Sequence, residues 1–337
     1  MDLKAQLVAE AARVGFFRAR CAAVDQPLDM LRYDTFLAAG WHGEMEWLRS
    51  GRDDREDVRR LLPNAQTVVV LAFDYGNALP PDPGGMTGRV ASYAWGRDYH
   101  NFVLKRLRKL QAWLRRTHAL DSYASLDTRP VYERAWAARA GLGYAGKNAC
   151  QILPGETSQF FLATLLLSAD LPPDPPLGDH CGRCRRCIDA CPTGAILPEG
   201  GLVANRCISY FTIEADGPVP ESLRPKLGRW LFGCDDCQTV CPHSRNGTAA
   251  TPETFPRHAW VDLPSLLVLD DDALRVRFAG TPLRRAAGPR LRRNAAYVLG
   301  NLRAEAARSA LETASRRGGV EGEAAEWALG ELGELGG

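Results

Sequence analysis

The most constraining feature of this chain is a run of thiols, Cys181-x-x-Cys184-x-x-Cys187-x-x-x-Cys191, closed by Pro192. In bacterial ferredoxins that spacing holds [4Fe–4S] cubanes, the first three cysteines serving one cluster and the fourth crossing to another. A second block, Cys234-x-x-Cys237-x-x-x-Cys241 before Pro242, is one cysteine short of the same run, and Cys207 in "NRCISY" supplies the missing ligand. Two cubanes need eight thiolates, and these positions provide eight. Crossed ligation assigns Cys181, Cys184, Cys187 and Cys241 to one cluster and Cys191, Cys207, Cys234 and Cys237 to the other. Paired zinc sites are the competing reading, since zinc also uses CxxC pairs. The continuation into Thr193, Gly194, Ala195 and Ile196 fits a ferredoxin fold better than a zinc ribbon. Of the 10 cysteines, Cys21 and Cys150 are left over and read as small apolar residues.

The rest of the composition sets the frame for that segment. At 337 residues the chain has room for roughly two or three domains. Hydrophobic residues at 45% and charged residues at 24% describe a folded globular protein. The opening "MDLKAQLVAEAARVGF" is amphipathic and carries acids, unlike a secretory signal. No apolar run approaches the roughly 20 residues of a membrane span, so a cytoplasmic location without membrane contact is expected. In that reducing compartment, dense thiols point to metal rather than to disulfides. Net charge is only +2, but arginines gather in "RCRRC" and in "LRRAAGPRLRRN", where they could meet phosphates.

Periodicity divides the chain. Helices are expected from Met1 to about Asn64, a buried strand from Thr67 to Asp74, a basic amphipathic helix in "NFVLKRLRKLQAWLRRTHAL" and a strand near Ser122 to Leu126. "VYERAWAARAG" reads as a helix stopped by Gly141, and "SQFFLATLLLSADL" as a buried strand or helix. The alternation describes an α/β layer fold, here placed in the α+β / α/β class. "LPPDPPLGD" marks a linker before the cysteines. Beyond Pro256, short helical units such as "RRNAAYVLGNL" and "GEAAEWALGEL" share an Ala-rich body ending in Leu-Gly, as in HEAT-like repeats. The expected domains are residues 1–170, a two-cluster domain over 171–250 and a helical domain over 257–337.

Gly141-Leu-Gly143-Tyr-Ala-Gly146 has the letters of a dinucleotide fingerprint, but it follows a helix instead of a strand and opens no helix. A glycine turn allowing backbone to approach a flat or anionic cofactor fits better.

"DTRPVYERAWAARAGLGYAGKN", the double cysteine block, "RCISYFTIE", "ASYAWGRDYH" and "RRNAAYVLGN" together resemble the epoxyqueuosine reductases, in order and over nearly the whole chain. Tyr132 stands where that family pattern has an aliphatic residue and Tyr144 where it has tryptophan. The resemblance implies a cobalamin-dependent enzyme with two [4Fe–4S] clusters that finishes queuosine at the wobble position of tRNA, fed by a low-potential electron donor and working as a monomer. It implies that residues 1–170 bind cobalamin, and that Asp127 is the proton donor rather than a helix cap, burial against the corrin raising its pKa. Candidate cobalamin contacts are Tyr99, His100, Arg134, Lys147, Asn148, Ser209, Tyr210, Thr212, Asp235 and Asp236, His100 standing near the cofactor without ligating cobalt. Glu133 reads as half of a helix-surface pair with Arg134. Candidate tRNA contacts are Arg183, Arg185, Arg186, Arg284, Arg285, Arg290, Arg292 and Arg293. Two other readings share the thiol pattern: a reductive dehalogenase, typically exported with a signal that this N-terminus does not show, and a ferredoxin-type carrier on a scaffold, which would bind no cobalamin.

Overall fold

The structure, a computed structural model, describes residues 2–244 and 251–333. Helix α1 (Leu3–Arg13), capped by the Asp2 side chain, leads into strand β1 (Arg18–Ala23). Helices α2 (Leu31–Ala38), α3 (Trp47–Ser50) and α4 (Arg52–Glu56) precede β2 (Thr67–Asp74), β3 (Thr87–Val90) and the long α5 (Tyr99–His118). Strand β4 (Ser122–Ser125), helix α6 (Glu133–Arg139), the short pair β5 (Tyr144–Ala145) and β6 (Gln151–Ile152), and β7 (Phe160–Leu167) complete the first half. The cysteine segment carries α7 (Arg186–Ala190), α8 (Ile208–Ile213), β8 (Trp230–Phe232) and α9 (Asp236–Thr239). The remainder is β9 (Trp260–Asp262), α10 (Pro264–Val268), α11 (Asp271–Arg277), α12 (Pro289–Asn301), α13 (Arg308–Ser315) and α14 (Gly319–Gly333).

Four strands form the first sheet in the order β1-β2-β7-β4, and every pairing is antiparallel. Strand β2 spans the residues expected from its β-branched run, because both of its faces are covered. Val69, Leu71 and Phe73 join Leu7, Val103 and Leu107 from α1 and α5, while Val68, Val70 and Ala72 join Tyr33, Leu37 and Trp136 from α2 and α6. The layering of helices on both sides of a sheet is therefore as expected. Strand β1 corrects the all-helical reading of the first 64 residues. "RARCAA" has little strand propensity of its own, and it is held by six paired positions along the exposed edge of β2. "SQFFLATLLL" resolves as the strand β7.

The division by sequence position does not match the division in space. Strand β3, from the first half, lies between β8 and β9 in a second sheet. Val90, Ala91, Ala94 and Trp95 accordingly share one core with Phe211, Phe232 and the helices α12 and α14. The linker is likewise tied back, with Leu171 in the first core and Asp174 accepting the Cys21 amide at 2.8 Å. The expected boundary at residue 250 lies outside the described residues. In the helical tail, a side chain on Gly300 would come within 2.7 Å of the Trp327 ring, so this glycine is what lets α12 meet α14 closely. Gly330, its counterpart in the second Leu-Gly unit, faces open space, and the likeness between the two units is one of sequence more than of packing.

Candidate active site and cysteine cavities

The loop leaving β4 carries Asp127, a non-glycine residue in left-handed backbone with φ 54°. Its carboxylate Oδ2 accepts the Tyr99 hydroxyl at 2.5 Å and lies 3.2 Å from His100 Nε2. Both partners sit in the first turn of α5, which Asp98 caps by accepting the His100 amide, and the same Asp98 oxygen holds His100 Nδ1 at 2.8 Å. The Tyr99 ring is fixed between His100 and Phe161, stacked with centroids 4.1 and 4.4 Å away. Helix α6 starts only at Glu133, behind Tyr132 and without any side-chain cap, so Asp127 is not a helix cap.

Asp127, Tyr99 and Glu133 line a cavity of about 330 Å³ with Tyr75, Tyr93, Phe160 and Phe161, and with Cys150, Gln151 and Gln238; His100 stands behind Asp127 and is not part of its lining. Burial raises the Asp127 pKa, as expected, but the hydrogen bonds from His100 and Tyr99 outweigh burial and hold it below its ordinary value. That corrects the expectation of a raised value. Its proton is stored next door. Burial opposes the charge on His100, yet hydrogen bonds to Asp127 and Asp98 push its pKa up to about 9. Glu133 is raised to about 8, chiefly by burial and also by the neighbouring Asp127 charge.

Cys181, Cys184, Cys187 and Cys241 line a single small cavity of about 40 Å³, bringing together residues up to 60 positions apart. Its rim is exposed at His180, Gly182, Arg183, Arg185 and Arg186. The other four thiols form a mutually interacting chain, Cys191 to Cys207, Cys207 to Cys234 and Cys234 to Cys237, whose neighbours Ile208, Gly233, Asp235 and Gln238 are buried. Cys150 is more than a small apolar filler: its thiol shares a hydrogen bond with Cys237 and faces the Asp127 cavity. Cys21 is the buried apolar residue that the sequence suggests, its thiol pushed up to about 11 by burial.

Several candidate contacts have partners within the protein itself. The glycine turn makes its close approach to the protein's own backbone, since a side chain on Gly141 or Gly143 would strike the carbonyl oxygen of Pro175 or Ile152 at 2.0 and 2.3 Å. Lys147 clamps the loop of the first cysteine set, donating to the carbonyls of Gly182 at 2.7 Å and Cys184 at 3.1 Å. Asn148 is buried and donates to the Cys237 carbonyl. Thr212, fully buried, bonds Ile208 and Gly233, and Tyr210 takes the Glu44 amide. Asp235 accepts the Ser92 amide, with its pKa lifted to about 6 by burial, and Asp236 accepts the Trp230 indole. Ser209 donates to Cys207. Tyr99 and Arg134 do line the cavity, and Arg134 also reaches the Ala149 carbonyl.

The arginines divide in the same way. Arg292 and Arg293 are at most 2% exposed, the first paired with Glu321 and Asp271, the second spent on carbonyls of Phe211, Ala215 and Gly217. Arg290 bonds the carbonyls of Ile213 and Arg285. Arg292 and Arg293 are corrected from tRNA contacts to structural ties, whereas Arg290 is half-buried and also pairs with Asp216. Arg284 and Arg285 are exposed, and the charge of Arg285 is felt by Asp127.

A family model described as "4Fe-4S double cluster binding domain" matches residues 180–244, and one described as "Epoxyqueuosine reductase QueG, DUF1730" matches residues 55–128. The chain is 38% identical over 309 residues to epoxyqueuosine reductase of Xanthomonas campestris pv. campestris, covering 89% of this chain and 87% of that one. Its identity to the Pseudomonas aeruginosa enzyme is 39% over 315 residues, with 89% and 86% covered. A crystal structure of epoxyqueuosine reductase with an epoxyqueuosine-modified tRNA-Tyr stem loop aligns with TM-score 0.91 at 30% identity, over 98% of this chain and 90% of that one. The Bacillus subtilis enzyme, solved with its catalytic aspartate loop swung out of the active site, aligns at TM-score 0.90 and 29% identity, over 98% and 90% of the two chains. With this identity sustained over most of both chains, the protein belongs to the epoxyqueuosine reductase family.

Proposed function

We propose that this chain reduces epoxyqueuosine to queuosine at the wobble position of tRNA, with Asp127 as the acid. The observation that carries the proposal is the braced Asp127, which opens on an aromatic cavity whose back wall, Cys150 and Gln238, adjoins the second cysteine set. Removing the epoxide oxygen as water and leaving an alkene takes two electrons and two protons. When bound, cobalamin supplies a strongly reducing, nucleophilic cobalt and the clusters supply single electrons at low potential.

The residues present fit these groups. Crossed sets of four thiols suit two cubanes, and Cys181, Cys184, Cys187 and Cys241 already converge on one cavity. For cobalamin, the Asp127 cavity offers flat aromatic walls and an unused acceptor. Gln151 is buried with Nε2 on the Leu142 carbonyl, while its Oε1 has no partner among the described residues. Tyr99 and Arg134 remain contacts for the cofactor, and His100 holds a proton beside it.

The protein's own part is proton delivery and positioning. His100 is charged at neutral pH, and its Nε2 proton can pass across 3.2 Å to Asp127 Oδ2. Asp127 then protonates the departing oxygen, and the Tyr99 hydroxyl steadies the carboxylate that remains. The aromatic walls exclude water from the opened ring. Exposed Arg183, Arg185, Arg186, Arg284 and Arg285 offer cations to RNA phosphates, and helices α10 to α14 form the platform on which the stem rests. A flipped wobble base reaching Asp127 enters a cavity where the charge of Arg285 is also felt.

The test is anaerobic incubation of cluster- and cobalamin-loaded protein with a low-potential reductant and tRNA carrying epoxyqueuosine, followed by mass spectrometry of the nucleosides. Loss of the epoxide oxygen is expected, and a nucleoside that keeps it would overturn the assignment. D127N should retain cobalamin and lose turnover by about 10²-fold or more, the usual weight of a positioned general acid.

A further inference from the structure

Asp127 is held from two sides. Tyr99 and His100 grip its carboxylate, but the backbone that aims the carboxylate is a left-handed turn at a residue with a Cβ, a conformation that survives only where its surroundings impose it. The Asp127 amide points inward and donates to Glu133 Oε1 at 3.1 Å. The Ser125 hydroxyl, on the last residue of β4, donates to the same oxygen at 3.5 Å. Glu133 thus bridges the strand before the loop, the loop itself and the start of α6. It is not half of a surface ion pair, because its neighbour Arg134 turns to the Ala149 carbonyl.

We propose that Glu133 is a positioning residue for the reduction, its Oε1 latching the left-handed turn that points Asp127 into the cavity. The inference rests on the assignment of Asp127 as the acid. Without the acceptor, the inward amide loses its partner and the turn relaxes toward ordinary negative φ. That change rotates the Asp127 carboxylate away from Tyr99 and His100. The Asp127 side chain is 47% exposed, so apart from its bonds to Tyr99 and His100 little packing supports the turn in place of the Glu133 bond. Glu133 lines the same cavity as Asp127, and its role is to hold the turn through the Asp127 amide.

The experiment compares E133A, E133Q and D127N in the loaded enzyme, reading kcat, KM for modified tRNA, and cobalamin and iron content. E133A should lower kcat at least tenfold with KM and cofactor content unchanged. E133Q keeps an oxygen acceptor at the same reach and should recover most of the rate. If the alanine variant loses its clusters, E133M takes its place, filling the volume without offering an acceptor. E133A at the wild-type rate beside an inactive D127N overturns the latch and leaves Asp127 as the acid. An E133Q as slow as E133A also overturns it. D127N at the full rate removes the underlying assignment instead.

Discussion

Charge is buried in two regions of this protein and handled in opposite ways. Along α12, Arg292 and Arg293 lie at or near zero exposure, and their guanidinium groups are occupied by Glu321, Asp271, Asn294 and backbone carbonyls. Around Asp127, the charged groups are only partly covered and remain poised between protonation states, with His100 raised to about 9 and Glu133 to about 8. The first arrangement leaves the charges nothing to do but hold α12 against α8, α11 and α14. The second keeps an open side and a transferable proton, and perturbed groups of that kind belong to chemistry. Burial alone therefore does not mark a site; spare capacity does.

The largest effect on stability should come from breaking the saturated region. Glu321 is 7% exposed, and R292A strips it of its guanidinium. Breaking one side of a buried pair typically costs about 3–5 kcal/mol. R293M, which abandons three carbonyls between α8 and α12, belongs in the same range. Thermal unfolding of the loaded protein should show both melting well below wild type. The protein that remains folded should bind tRNA as before. A variant that melts normally but binds tRNA weakly would return these arginines to the RNA surface.

That pair also shows where the sequence stopped being readable. The cysteine spacing disclosed the double-cluster segment because ligand chemistry fixes spacing directly, and Cys181, Cys184, Cys187 and Cys241 meet at one cavity; the β-branched run over Thr67–Asp74 disclosed β2 because each face alone is apolar enough to be buried. In "LRRAAGPRLRRN" the burial of Arg292 and Arg293 is not legible, because arginine is usually a surface residue and nothing local says that carbonyls of Phe211 and Ala215, some 80 positions earlier, will be waiting. Strand β1 was hidden for a similar reason, its pairing with β2 being stronger than its own propensity. Glu133 read as surface because helix periodicity cannot see the Asp127 amide folding over it. Asp127 itself was legible only through the family motif, and its lowered pKa followed from Tyr99 and His100, which the sequence places in a separate segment.

The poised region should betray itself in pH dependence, measured on protein without cobalamin. His100 has a folded pKa of about 9, above the ordinary 6.5, so its stabilisation is complete below about pH 6.5 and is lost as pH rises through 9. The stability gap between wild type and H100Q should therefore shrink across that window. Glu133 is raised from 4.5 to about 8, so its neutral form favours folding at low pH and that contribution fades between those values. E133Q, which is always neutral, should gain on wild type between pH 5 and 8. Parallel stability curves for all three proteins would mean that these groups are not poised and would erase the contrast with α12.

The smallest effect separates surface arginine from buried arginine on the same stretch of chain. Arg284 and Arg285 precede α12 and stay exposed, Arg285 pairing with Glu214 at 2.9 Å. R284Q and R285Q should change stability by no more than about 0.5 kcal/mol, as exposed substitutions usually do. If each cation meets one phosphate, each loss lowers the slope of log affinity against log salt by roughly 0.7 to 0.9. The charge of Arg285 reaches Asp127, so its loss should also raise KM for modified tRNA more than that of Arg284. A double variant with an unchanged salt slope would move the RNA footprint to Arg183, Arg185 and Arg186, the other exposed cluster, and would leave the basic stretch before α12 with a structural role only.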